Sequence, residues 1–191
     1  MSALRCFAIL ALLGGAAPIA ARADAQADIH AFVARVAPMT FADYVPLHGE
    51  RLQKGEWRAT GTYGTTLSRC LIVDLPSLSS LLGGGGGASE QPYSSALQCD
   101  GARTTTTQAA LIAMAVKTIT PLLPGYTMKR YPASKKSGRS SVLWKNATGQ
   151  TVDFIAYSKI DYKDHNGTRL GYVINVERLS PETMATPTPS P

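Results

Sequence analysis

Three histidines and three cysteines are the side chains best suited to chemistry in this sequence, and their spacing restricts what they can do. A zinc centre takes three or four His, Cys or carboxylate ligands. His30, His48 and His165 are scattered, and no Cys-x-x-Cys is present. His48-Gly49-Glu50 offers a base beside a carboxylate, enough to suggest a small hydrolytic site but too few ligands for a metal. His165 lies in Asp164-His165-Asn166-Gly167, where short polar residues suit a turn for backbone reasons. Asp161, Asp164 and Asn166 invite comparison with a calcium loop, but Tyr162 would occupy the first ligand position of that register. No serine stands in a GxSxG elbow, and Ser68 has no local base. Gly83 to Gly87 are not followed by the Lys and Ser/Thr of a phosphate-cradling loop, so residues 81–92 read as a flexible loop. No cofactor is expected.

Charge gives the sharpest functional signal. Lys129, Arg130, Lys135, Lys136, Arg139 and Lys145 follow one another with no Asp or Glu between them. Such a segment suits phosphates of lipid headgroups or lipopolysaccharide, or an acidic protein partner. Tyr131 is the only aromatic between Lys129 and Arg139, too few for a stacking platform, and nucleic acid is not expected. Pro132, Ser134, Ser137, Gly138 and Ser140 make the segment read as a loop, whose plain alternative role is solvation.

The N-terminus has the layout of a secretory leader. Arg5 supplies a positive start, Cys6 to Ala21 is apolar and small, and Ala21-Arg22-Ala23 fits the small-x-small cleavage pattern. Gly14, Gly15 and Pro18 break the run, which is too short for a comfortable bilayer span. Cleavage after Ala23 is expected, giving a periplasmic or secreted chain that starts at Asp24 and has no transmembrane segment. Loss of Arg5 and Arg22 lowers the formal charge from +6 to +4. Cys70 and Cys99 then remain as an even pair, which in an exported protein is expected to form a disulfide. Asn146-Ala147-Thr148 and Asn166-Gly167-Thr168 match the glycosylation acceptor pattern, an accidental match if the Ala-rich leader is bacterial.

Hydrophobic periodicity supplies the elements that must position these groups. Ile29, Phe32, Val33 and Val36 form one helical stripe that Pro38 ends. Thr105 and Gln108 fit a capping box opening a second helix, along which Leu111, Met114, Ala115, Thr118, Ile119 and Leu122 keep helical spacing. Residues 56–63, 67–74 and 93–100 read as three strands, and SVLWKN, TVDFIAYSKIDY and TRLGYVINVERL as three more. Within the last two runs Val152, Phe154 and Ala156, then Tyr172, Ile174 and Val176, share one parity and so one face. Met39 to Glu56 gives no clear periodicity. Residues 180–191 are dense in Pro and Thr and are expected to be disordered.

The fold expected is α+β: a mostly antiparallel sheet of two three-stranded runs, two helices packed on one face, and one disulfide, in a single domain over residues 24–179. Two halves of helix then strands allow a pseudo-duplication. A leader, a disulfide and no catalytic constellation point to a small exported binding or inhibitor module for a protein or an anionic envelope partner. The competing expectation is a small envelope-acting hydrolase using His48 and Glu50, or His165.

Overall fold

The computed structural model describes residues 17–75, 93–102, 107–133, 138–157 and 170–181. In chain order these form α1 (Ala17–Val36), a 3-10 turn (Ala42–Leu47), β1 (His48–Gln53), β2 (Glu56–Ala59), β3 (Leu67–Leu75) and β4 (Ser94–Ala102). Then follow α2 (Gln108–Ile119), a second 3-10 turn (Thr120–Leu122), β5 (Thr127–Tyr131), β6 (Arg139–Lys145), β7 (Thr151–Tyr157) and β8 (Leu170–Leu179). Among the described residues no helix is long and apolar enough to cross a membrane. The expected Gly-rich loop, His165, Lys135, Lys136 and residues 182–191 lie outside the described residues.

All eight strands join one antiparallel sheet in the order β1-β2-β3-β4-β8-β7-β6-β5. This corrects the expectation of two three-stranded runs. Each half is a helix, a 3-10 turn and a four-stranded meander, and the last strands of the two halves, β4 and β8, pair along the centre. The order reads alike from either edge inward, so a pseudo-two-fold relation runs between β4 and β8. The two strands absent from the sequence reading, β1 and β5, are the two edges.

Alternation along the inner strands builds the core. Trp144, Val152, Val176, Leu97, Ile72 and Trp57 are successive cross-strand partners in one row. A second row joins Val142, Phe154, Ile174 and Cys99. Ile29, Phe32, Val33 and Val36 of α1 and Leu111, Met114, Ala115 and Ile119 of α2 belong to the same buried cluster. Each large apolar side chain so buried stabilises the fold by about 1.5–3 kcal/mol relative to exposure. Within α1, Ala25, Ile29, Phe32, Val33 and Val36 are buried.

Polar contacts fix how the helices sit. The cap of α2 is Thr107, whose hydroxyl accepts from the Ala110 N–H at 3.3 Å; the expected Thr105 lies outside the described residues. Gln108 instead reaches the sheet, donating from Nε2 to the Ala156 carbonyl at 2.8 Å and the Gly138 carbonyl at 3.0 Å. On α1, Asp28 accepts from the Thr66 N–H and hydroxyl, each at 2.6 Å, and clasps the helix to the β2–β3 connection. Burial acts to raise the Asp28 carboxyl, but donors from Thr66 and Thr65 outweigh it and hold it below its ordinary value. Gly101 is required where it stands, because Tyr172 lies opposite and its ring occupies the space a Cβ would need.

Candidate binding face

Side chains of opposite parity to the core line the face of the sheet turned away from the helices. Its central row runs Leu143, Asp153, Asn175, Gln98, Leu71 and Arg58. A neighbouring row holds Ser141, Ile155, Val173, Asp100 and Ser68. Leu71, Ala96 and Val173 are buried on this face without belonging to the helix-side cluster. The face is therefore mixed, with apolar residues set among amides and carboxylates.

At its centre are two unpartnered acceptors. Asp153 and Asn175 are directly opposed across the β7–β8 ladder, and the Oδ1 atom of each is buried without a hydrogen bond. Burial pushes the Asp153 carboxyl up to about 6, against the Phe154 backbone N–H, which acts in the other direction. Below about pH 4 folded and unfolded chains both hold this proton; between about 4 and 6 only the folded chain does. Stability therefore falls as pH rises through that window. Asp153→Asn keeps the shape and removes the charge. It is expected to stabilise the protein by about 1–2 kcal/mol at pH 7.5, after discounting for partial exposure, and by nothing near pH 4. Melting curves of both proteins from pH 4 to 8 test this, and parallel curves would refute it.

Four of the six basic residues predicted from the sequence lie on the last two strands at one end of the sheet. Lys129 and Arg130 lie on edge strand β5, and Arg139 and Lys145 bound its neighbour β6. β5 is thus a strand where a loop was expected. Parity sends Lys129 and Tyr131 to the face turned away from the helices and Met128 and Arg130 to the helix side. Lys129 Nζ rests 5.2 Å from the centre of the Tyr131 ring, an orientation that favours the cation. The Thr127 hydroxyl donates to the Lys145 carbonyl at 3.1 Å and fastens the edge at its start. All five residues of β5 are exposed.

The histidine candidates are arranged differently. His48 stacks on Trp57, with ring centres 4.3 Å apart, and its Nε2 lies 3.8 Å from Asp74 Oδ1, beyond hydrogen-bond reach. The Ser95 hydroxyl donates to that same Asp74 oxygen at 2.6 Å, so its proton is committed to a carboxylate and not to an imidazole. Ser95 is also buried. Glu50 pairs with Arg58 at 3.3 Å on the surface. His30 is exposed on α1, at an open groove of about 550 Å³ between the two helices. The Ser68 hydroxyl bonds the Asp100 carbonyl at 3.4 Å. Among the described residues no three His, Cys, Asp or Glu side chains gather where a metal could be held.

Cys70 and Cys99 form the disulfide, their Cα atoms 4.1 Å apart on β3 and β4. Asn146 builds the β6–β7 turn, accepting on Oδ1 from the backbone N–H groups of Thr148 at 3.1 Å and Gln150 at 2.9 Å. Its Nδ2 donates to Gln150 Oε1 at 3.0 Å, so the acceptor amide of that motif is already engaged.

Fold and site together define a disulfide-bridged α+β protein with a sheet face of mixed character turned away from the helices and a basic edge. The chain matches no protein-family model, no curated protein and no solved structure.

Proposed function

We propose that the chain is an exported, non-enzymatic binding module that engages an anionic protein or envelope partner through the basic end of its sheet. One observation carries this reading: β5 and β6 together present Lys129, Arg130, Arg139 and Lys145, and neither strand contains an acidic residue. Of these, Lys129, Arg130 and Lys145 are exposed cations on two neighbouring strands, and they raise the local potential and steer an anionic surface toward this end of the molecule. The leader-like N-terminus and the disulfide support an oxidising destination. Met128 and Tyr131, exposed on the same edge strand, give a partner more to bury than charge alone.

Lys129→Ser, Arg130→Ser and Lys145→Ser combined in one protein test the proposal. Binding to vesicles of anionic lipid, or to acidic protein captured from envelope extract, is expected to fall on the order of tenfold or more, with a flatter salt dependence. The melting temperature should stay within about 2 °C, since exposed substitutions of this kind shift stability little. Unchanged binding would leave these cations with solvation as their role.

A further inference from the structure

We propose that β5 accepts an extended acidic segment of a partner protein as an additional, ninth strand of the sheet. This rests on the basic-end reading above and adds how the partner is held. The sheet order ends at β5, so one side of its main chain has no strand partner among the described residues. An edge of that kind recruits an extended peptide through backbone hydrogen bonds, while side-chain pockets and charges select which peptide.

The two edges of the sheet are unequal. β1 pairs with β2 through register shifts between His48 and Arg51 and again between Arg51 and Gln53. Such irregularities are a common way to blunt an edge. Its charges also cancel locally, Glu50 against Arg58. β5 follows β6 without interruption from Thr127↔Lys145 to Tyr131↔Ser141. A regular edge presents evenly spaced donors and acceptors to an incoming strand.

Charge then decides the occupant. Edge cations protect natural sheets from pairing with copies of themselves, and antiparallel pairing of two β5 strands would set Lys129 and Arg130 against the same pair. Like charges so placed are destabilising. An acidic strand meets the opposite situation. Lys129 and Arg130 are adjacent, so they point to opposite faces, and consecutive acidic residues of one extended segment reach both. Lys145 adds to the Lys129 side from the next strand, and Met128 and Tyr131, each 41% exposed, supply apolar contact between the charges.

The test uses the intact, oxidised protein and a capped, glutamate-rich peptide of about eight residues, the length of an ordinary strand. Its fully N-methylated counterpart carries the same charge but no backbone donors. N-methylation is expected to weaken binding on the order of tenfold or more, and the unmodified peptide should slow amide exchange over residues 127–131. Lys129→Ser with Arg130→Ser should weaken the unmodified peptide to a similar degree. Equal affinity for both peptides would overturn strand addition while leaving charge-driven binding in place. Binding of anionic vesicles, lost in the triple serine variant, without binding of either peptide would do the same. Binding of neither peptide nor vesicles would remove this inference and the broader reading together. Protection of residues 127–131 that grows with protein concentration alone would assign the edge to a second copy and overturn the acidic partner.

Discussion

Replacing Arg178 with methionine is expected to lower the stability of the fold by about 3 kcal/mol, and replacing it with alanine by about 4–5 kcal/mol. For a chain of this size the first figure corresponds to a fall in melting temperature of roughly 6–12 °C. Arg178, at the end of β8, is the largest charged side chain fully buried among the described residues. Its Nε donates to the Met39 carbonyl at 2.8 Å and its Nη1 to the Glu177 carbonyl at 2.8 Å, while Nη2 donates to the Ala37 carbonyl. Ala37 and Met39 follow the last residue of α1, where helix carbonyls run out of intrahelical donors. The guanidinium supplies those donors and sits at the negative end of the helix dipole. Among the described residues no carboxylate lies within ion-pair distance of it, and the described partners of the charge are backbone carbonyls.

Tyr44 shares this junction. Its hydroxyl donates to the Val176 carbonyl at 2.9 Å, and burial raises its ionisation above the ordinary value despite the nearby Arg178 charge. Chain segments separated by more than 130 residues are thereby fixed to one another. Lysine at position 178 keeps the charge but not the planar fork, and an intermediate loss of about 2 kcal/mol is expected. Denaturant unfolding of the three variants, compared at constant m-value, separates these cases. A methionine variant as stable as the parent would mean that desolvation of the guanidinium consumes everything its hydrogen bonds contribute, an outcome known for buried charges replaced by apolar groups.

The sequence made the interior legible and the edges illegible, for one physical reason. Inner strands must bury one face, so Val152, Phe154 and Ala156, and likewise Tyr172, Ile174 and Val176, alternate with wetter neighbours. β1 and β5 each cover little, and HGERLQ and TMKRY carry no alternation to read. In β5 the density of cations beside Pro132 looked like a loop because solvated edges and loops share a composition. Arg178 has the parity of Ile174 and Val176, which points it to the buried face; a cation there reads as a strand end until the carbonyls of Ala37 and Met39 are seen across from it. Asp153 was visible as a residue of the non-core face. Its lack of a partner was not, because that depends on Asn175 arriving opposite from a different strand. The sequence offered threonines at 104–107 with the hydroxyl a cap requires, and only the structure singles out Thr107.

Reduction of the Cys70–Cys99 bridge is expected to remove about 3–4 kcal/mol, since its sequence separation of 29 closes a loop of that order in the unfolded chain. Its position adds a local effect. The β3–β4 ladder shifts register between Ser68 and Leu71, and Arg69 there has a φ of 42°, in the left-handed region. Backbone pairing is interrupted at that bulge, and the disulfide holds the two strands together beside it. Cys99 is fully buried opposite Ile174, next to the central β4–β8 seam. Loosening the bridge therefore reaches the middle of the sheet. Cys70→Ala with Cys99→Ala should lower the melting temperature by roughly 6–16 °C, and a reducing agent should do so in the parent but not in the variant. Amide exchange should rise first over residues 67–71, ahead of global unfolding. If thiol titration of the native protein found two reactive sulfhydryls, or reduction left the melting temperature unchanged, the staple would contribute nothing. The proposal of an oxidising destination would then lose its main covalent support.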